Sequence, residues 1–164
     1  MPSNISELSC FLASEKKTQE LAVDIATLCK AGDTILLYGD VGSGKTSFAR
    51  AFIKEITGLQ GNIASPTFNL LSTYPLSDGD AEVWHCDLYR LKNSAEVTEL
   101  GIEEALENHI VLVEWPELIE SMVSPDSLII NLFVDGVGRR VVISTSDVWM
   151  DRLKKVEYLE VYNG

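Results

Sequence analysis

Residues 39–46, near the end of the first quarter of the chain, read Gly-Asp-Val-Gly-Ser-Gly-Lys-Thr and constrain the fold more than any other stretch. The pattern matches the GxxxxGK[ST] phosphate-binding loop at every fixed position. The segment before it, TILLY (34–38), has the continuous apolar character of a strand covered on both faces. The segment after it carries apolar residues at helical spacing to about Thr57. A strand, this loop and a helix in that order predict an α/β domain that holds phosphate at the loop.

Each residue type in the loop has a physical reason. Glycines let the backbone adopt positive φ, so that successive N–H groups face inward around an anion at the start of a helix. Lys45 supplies a positive charge to terminal phosphates, and Thr46 offers a hydroxyl to Mg²⁺. The other positions that we predict to bind the nucleotide in and after the loop are Asp40, Val41, Gly42, Ser43, Gly44 and Ser47.

Two carboxylates follow apolar β-forming residues and are candidates for the metal and for catalysis. Asp87 ends the run VWHCD, and Glu114 ends the run IVLVE. Because burying an unpaired charge is costly, a metal or a polarised water explains them better than packing. We assign Glu114 to the metal and Asp87 to a water or a metal-bound ligand, but the two roles could be exchanged. For either acid alone, a solvated strand end is the alternative.

The remaining pattern predicts a mixed sheet. A capping box from Asn93 to Glu96 predicts a short helix, which Gly101 interrupts. The predicted segments are a strand at 7–13, a helix from Ser14 to about Lys30, a hairpin of 67–74 with 81–88, a strand at 110–115, and a hairpin of 127–134 with 139–145. We expect one domain over residues 1–164: a P-loop NTPase-like three-layer α/β sandwich with a parallel central sheet, added antiparallel strands and a helical extension over about 147–164. The sequence does not predict the strand order.

Charge and composition exclude several classes of function. The formal net charge of −12 disfavours direct binding of nucleic acid, which depends on Lys and Arg neutralising phosphates. No apolar run approaches the ~20 residues that span a bilayer, and the N-terminus lacks a signal-peptide pattern, so we expect a cytoplasmic protein. The three cysteines form no CxxC pair and are expected to be reduced. His85 and His109 are interpreted as structural or surface residues.

Two further positions leave alternatives open. Thr67, in the stretch Ser65-Pro66-Thr67, could place its hydroxyl or backbone on a γ-phosphate, or it could simply begin a strand. Trp115 could belong to the core or could report on a nucleotide site.

The stretches GDVGSGKT, SPTF, HCDLYR, ELGIEE and VLVEWPE, in this order and spacing, resemble the TsaE (YjeE) family over roughly residues 7–145. The resemblance implies a Mg²⁺-dependent ATPase for the threonylcarbamoyl modification of adenosine beside the tRNA anticodon. It implies action on a TsaD–TsaB protein complex, with tRNA contacted only through these partners. It also implies that Asp87 and Glu114 are site acids, that Trp115 lies beside them, and that Thr18 and Arg139 approach the nucleotide. The tail after about Ser146 is longer than the family pattern.

Three rival functions remain. A small-molecule kinase would use the same loop but would need a second pocket and a basic lid, for which Arg90 and Lys92 are the only hint. A GTP switch lacks support because no N-K-x-D string occurs, so adenine nucleotides are expected. A nucleotide-gated scaffold would bind ATP, with hydrolysis incidental.

Overall fold

A computed structural model describes residues 5–64, 66, 70–77 and 79–162. These residues form one mixed sheet with helices on both faces. The strands are β1 (Ser6–Leu12), β2 (Thr34–Tyr38), β3 (Leu71–Pro75), β4 (Glu82–Asp87), β5 (Ile110–Glu114), β6 (Leu128–Asp135), β7 (Gly138–Thr145) and β8 (Glu160–Val161). The helices are α1 (Glu15–Leu28), α2 (Lys45–Thr57), α3 (Ser94–Thr98), α4 (Ile102–Asn108) and α5 (Asp147–Leu153), and a 3₁₀ turn spans Pro116–Ile119.

The strand order is β3-β4-β5-β2-β6-β7-β1-β8. Strands β4, β5, β2 and β6 are parallel neighbours at the centre, whereas β3, β7, β1 and β8 are added antiparallel. Asp87 of β4 is in register with Glu114 of β5, which is in register with Leu37 of β2. The two acids and the start of the glycine-rich loop therefore share the carboxyl edge of the sheet, where α/β folds place their ligands.

The alternation of side chains along the central strands gives the sheet two apolar faces. Ile35 and Leu37 belong to the core under α1, α2 and α5, whereas Leu36 belongs to the core under α3, α4 and the 3₁₀ turn. Helix α2 buries Phe48 and Phe52 in the first of these cores. The predicted three-layer sandwich with parallel and antiparallel strands is confirmed.

Local signals fix several element ends as predicted. Gly58 ends α2 in the left-handed region at φ 72°, with its N–H donating to Lys54 O. The Asn93 side chain and Glu96 form the predicted capping box of α3, and Gly101 separates α3 from α4. Both predicted hairpins are antiparallel; residues 67–69 of the first lie outside the described residues.

Two element predictions are corrected. Helix α1 ends at Leu28 rather than near Lys30, and Gly32 lies in the turn beyond it. The predicted helix over 147–164 is too long, because α5 ends at Leu153. Beyond that point Val156 is buried in the core and Leu159 packs against it, and β8 then pairs with β1 at the edge of the sheet. These tertiary contacts favour the turn over a longer helix.

Among the described residues, no helix combines the length and the apolar character that a membrane crossing requires.

Candidate functional site

The glycine-rich loop joins β2 to α2 and depends on backbone conformations that favour glycine. Gly39, Gly42 and Gly44 have φ of 145°, 84° and 108°. A Cβ at Gly39 would lie 2.4 Å from Ser43 Oγ and 2.6 Å from Leu132 O, closer than real side chains come. Glycine at position 39 therefore lets the loop fold tightly against β6.

Lys45 is held inside the loop. Its side chain is buried, and Nζ donates hydrogen bonds to Gly39 O and, at 3.0 Å, to Asp40 O. Burial lowers the pKa of Lys45, and the nearby carboxylates of Glu114, Asp40 and Asp87 oppose that shift. The ammonium is thus held against the loop carbonyls, close to the carboxylates of the site.

Thr46 and Glu114 meet directly, although they are far apart in the chain. Thr46 Oγ1 donates to Glu114 Oε1 at 3.1 Å, and the Glu114 side chain is 2 % exposed. The end of β5 lies beside the start of α2 because β5 and β2 are parallel neighbours. A hydroxyl and a carboxylate at this place are the oxygen ligands that Mg²⁺ takes at nucleotide sites.

The second oxygen of Glu114 contacts a residue that the sequence did not assign to the site. His85 Nε2 lies 2.7 Å from Glu114 Oε2, and the His85 side chain is fully buried. The sequence interpretation of His85 as structural or surface missed this contact. The period-two spacing of His85 and Asp87 on one strand indicates that both lie on one face of the sheet, but it does not identify Glu114 as the neighbour.

Asp87 lies beside this pair at the end of β4. It is half-buried, and Oδ1 accepts a hydrogen bond from the Tyr89 backbone N–H at 3.1 Å. Burial raises the pKa of Asp87, while the Tyr89 N–H acts in the opposite direction. The Asp87 carboxyl group is thus shifted toward the range in which a carboxylate accepts protons.

An aromatic pair covers one side of the site. Trp115 directly follows β5 and has φ 57°, a left-handed conformation that is unusual for a bulky residue. Its ring centroid lies 4.8 Å from that of Tyr89 and 4.0 Å from Lys45 Nζ. Trp115 therefore lines the cavity of the site and belongs to neither apolar core, while a role in reporting on a nucleotide stays a prediction.

The hairpin of β6 and β7 forms the opposite wall. Arg139 donates from Nη2 to Gly42 O at 2.9 Å and from Nη1 to Gly138 O at 2.7 Å. The guanidinium therefore ties the tip of the loop to the last hairpin.

The start of α1 forms the third wall. Thr18 is buried beside Gly44, and Ser47 Oγ donates to Glu15 Oε1 at 3.1 Å. The walls enclose a cavity of about 480 Å³, a size suited to a small-molecule ligand. Its lining residues are Ser14, Glu15, Thr18, Val41, Gly42, Gly44, Lys45, Thr46, Ser47, Asp87, Glu114, Trp115, Val137, Gly138 and Arg139.

The structure brings most of the predicted site residues to this one cavity. Asp40 and Ser43 belong to the loop without lining the cavity, and Thr67 lies outside the described residues. Glu15, Ser14 and Val137 line the cavity without having been predicted, since they carry no motif of their own. The individual binding and catalytic roles stay predictions.

The three-layer sandwich around a mixed sheet and the glycine-rich loop at the carboxyl edge of that sheet define a protein of the P-loop class. The YdiB crystal structure from Bacillus subtilis superimposes with a TM-score of 0.74, covering 93 % of this chain and 95 % of that one at 24 % identity, which supports the fold.

The family model of "Threonylcarbamoyl adenosine biosynthesis protein TsaE" matches residues 12–141. A tRNA threonylcarbamoyladenosine biosynthesis protein TsaE from Rickettsia felis is 45 % identical over 130 residues, which are 79 % of this chain and 75 % of that protein. The TsaE protein of Bacillus subtilis is 31 % identical, with 87 % of each chain covered. The chain belongs to the TsaE family, which functions in the biosynthesis of threonylcarbamoyladenosine in tRNA.

Proposed function

We propose that this protein binds ATP with Mg²⁺ and hydrolyses it as an accessory ATPase of the threonylcarbamoyl modification of adenosine beside the tRNA anticodon. In this proposal it acts on a TsaD–TsaB complex, and its own hydrolysis is weak without these partners. The observation that carries the proposal is the 3.1 Å contact between Thr46 Oγ1 and Glu114 Oε1 at the mouth of the phosphate loop.

The residues present fit a nucleotide and its metal. Ser43 Oγ is buried without a hydrogen-bond partner among the described residues, and the hydrogen bonds described for Lys45 Nζ go to loop carbonyls. Within the described ranges, no group of three or more His, Cys, Asp or Glu side chains could hold a metal. A Mg²⁺ here would therefore use Thr46, Glu114 and phosphate oxygens, the usual arrangement for this ion at nucleotide sites.

Each site residue then has a chemical task. Bound ATP with Mg²⁺ would supply the γ-phosphoryl group that is transferred to water. The loop N–H groups and Lys45 bind the phosphates and stabilise their charge, and Thr46 with Glu114 holds the metal. Asp87 orients the water and accepts its proton, a task that its raised pKa favours. Trp115 forms one side of the cavity next to Lys45.

The surface around the cavity supports a protein partner. Val41 and Val137, both lining the cavity, are 78 % and 96 % exposed. Apolar side chains exposed at the mouth of a site are available for burial against a partner protein. Because the net charge of −12 disfavours direct binding of nucleic acid, we propose that the partners bind the tRNA.

The kinase alternative gains no support from the cavity. A kinase needs basic groups that close over the phosphates. The cations among the described lining residues are Lys45 and Arg139, and Arg139 already donates to Gly42 O and Gly138 O.

The test is ATP hydrolysis by the purified chain, measured alone, with TsaD–TsaB, and with TsaD–TsaB and tRNA. Calorimetry of ATP and GTP binding, with and without Mg²⁺, accompanies it. We expect Mg²⁺-dependent ATP binding, weaker GTP binding, and hydrolysis that rises with the partners. Absence of ATP binding, or ATP-dependent phosphorylation of a metabolite instead of hydrolysis, would reject the proposal.

A further inference from the structure

We infer that His85 is a positioning residue of the metal site: it holds the Glu114 carboxylate so that Oε1 is presented to Thr46 and the metal. The inference rests on the proposed function, since it concerns Mg²⁺ bound with a nucleotide. It assigns a role to a residue that the sequence marked as structural or surface.

The geometry of the two Glu114 oxygens carries the inference. Oε2 lies 2.7 Å from His85 Nε2, and Oε1 accepts from Thr46 Oγ1 at 3.1 Å. Each oxygen thus has a different partner, one deep in the fold and one in the phosphate loop. With Oε2 bound to His85, rotation of the carboxylate would break both contacts.

Burial makes the histidine contact necessary to the carboxylate. The side chains of His85 and Glu114 are 0 % and 2 % exposed. A buried carboxylate without hydrogen-bond donors is costly, and it avoids the cost by moving or by taking up a proton. Since an ionised carboxylate only accepts hydrogen bonds, the inferred role requires a proton on His85 Nε2 that is donated to Glu114 Oε2.

The position of His85 in the sheet separates this role from that of an ordinary core residue. Strand β4 places Val83, His85 and Asp87 on the face that packs under α1 and α2, where Val83 and Leu112 belong to the apolar core. Along β4, the polar side chain of His85 thus lies between the core residue Val83 and the site acid Asp87. Its other nitrogen, Nδ1, has no hydrogen-bond partner among the described residues. In the part of the chain that the structure describes, the His85 ring therefore hydrogen-bonds to Glu114 through Nε2.

Residues that orient metal-binding carboxylates affect metal affinity by about 10- to 100-fold when replaced. His85→Leu should therefore weaken the affinity for the metal by about that factor. Binding of the nucleotide in the absence of metal should change little, because the loop amides and Lys45 remain.

The experiment measures Mn²⁺ binding by electron paramagnetic resonance, with the chain saturated by adenylyl imidodiphosphate, a non-hydrolysable ATP analogue. The variants are His85→Leu, His85→Gln and His85→Asn. The amide nitrogen of Gln reaches the position of Nε2, whereas that of Asn falls short. We expect Gln to restore most of the Mn²⁺ affinity and Asn and Leu to lose it.

The matched control is His109→Leu, the same change at the other end of β5. His109 Nδ1 accepts from the Glu82 backbone N–H at 3.0 Å and its ring stacks on Trp84, so this variant also loses a hydrogen bond. Its Mn²⁺ affinity should equal that of the wild type. Thermal unfolding of all variants separates a loss of stability from a loss of metal binding.

Wild-type Mn²⁺ affinity in both His85→Leu and His85→Asn would overturn the inference and leave the proposed function standing. Failure of the wild-type chain to bind the analogue together with Mn²⁺ would overturn the proposed function and the inference with it. If the His85 variants do not fold, nitrogen NMR of the His85 ring in the wild type tests the inference instead. A proton on Nε2 supports the inference, and a bare Nε2 overturns it.

Discussion

Lys45 Nζ lies 4.0 Å from the centroid of the Trp115 ring, so the loop lysine is held against an aromatic face as well as against the loop carbonyls. An ammonium over an indole ring is attracted by the negative face of the ring. Because a phosphate competes for the same ammonium, ligand binding should change the surroundings of the Trp115 ring.

Intrinsic fluorescence tests this relationship. We expect ATP with Mg²⁺ to change the tryptophan emission of the wild type and to leave that of Trp115→Phe nearly unchanged. Trp149→Phe is the control, since Trp149 is a buried residue of α5 that packs in the apolar core and lies outside the cavity. A full response from Trp115→Phe would disprove the link.

Lys45→Ala should weaken ATP binding by about 10- to 100-fold, since a hydrogen bond to a charged group contributes roughly 1.5–3 kcal/mol. The fold should persist, because Lys45 is the first residue of α2 and its side chain contacts the loop rather than either apolar core. Calorimetric titration of ATP measures the effect. Lys155→Ala, at an exposed lysine outside the cavity, serves as the control. Unchanged ATP affinity in Lys45→Ala would reject the loop assignment.

The two strand-end acids should separate hydrolysis from binding. Asp87→Ala should lower the hydrolysis rate by about 100-fold or more, the usual contribution of a positioned proton acceptor. Glu114→Ala should also lower it, but higher Mg²⁺ or Mn²⁺ should partly restore the rate, because this residue is the predicted metal ligand.

Both acid variants should still bind ATP, since the loop amides and Lys45 remain in place. Steady-state hydrolysis over a series of metal concentrations, combined with calorimetry, distinguishes the two residues. Glu103→Ala, at an exposed position of α4, should behave as the wild type. Rescue of Asp87→Ala by metal, and not of Glu114→Ala, would exchange the two roles.

Arg152 should contribute to the stability of the fold through its ion pair with Asp33. Its Nη1 lies 2.6 Å from Asp33 Oδ2, both side chains are mostly buried, and the guanidinium packs on the Trp149 ring. We expect Arg152→Ala to lower the free energy of unfolding by roughly 1.5–3 kcal/mol.

Chemical denaturation measures this change. Lys154→Ala removes an ion pair with Asp151 that is exposed to solvent, so its effect should stay below about 1 kcal/mol. Equal destabilisation by the two variants would show that burial of the Arg152–Asp33 pair adds nothing.

The cysteines should be slow to alkylate in the folded protein. Burial raises the pKa of Cys10 to about 11 and that of Cys86 to about 12, and it raises the pKa of Cys29 well above its ordinary value. Since burial disfavours the charged thiolate, only a small fraction of Cys10 should be ionised at pH 8, and the fraction should grow as the pH rises toward 11.

Iodoacetamide labelling followed by mass spectrometry should show slow modification at pH 8. Rapid labelling of all three thiols should follow in guanidinium chloride, where each regains the reactivity of a free cysteine. Rapid labelling of Cys86 in the folded chain would contradict its burial.

Features that depend on neighbouring residues could be predicted from the sequence. The loop at 39–46, the strand before it and the helix after it follow from glycine spacing and apolar periodicity. Gly58 and the capping box of Asn93 with Glu96 mark element ends through local backbone hydrogen bonds. The strand-end acids could be recognised for the same reason, because a charge after an apolar run is visible within a few residues.

Features that depend on which strands are neighbours required the tertiary structure. The contact of His85 with Glu114 exists because β4 and β5 lie side by side, and period-two spacing on one strand does not identify the strand beside it. The hydrogen bond from Arg139 to the Gly42 carbonyl and the contact of the Trp115 ring with Lys45 also depend on which segments are neighbours. The C-terminal tail turns into β8 because its apolar residues pack on a sheet formed by residues far earlier in the chain. Local pattern determined the chemistry that the chain carries, and the packing of distant segments decided which groups meet.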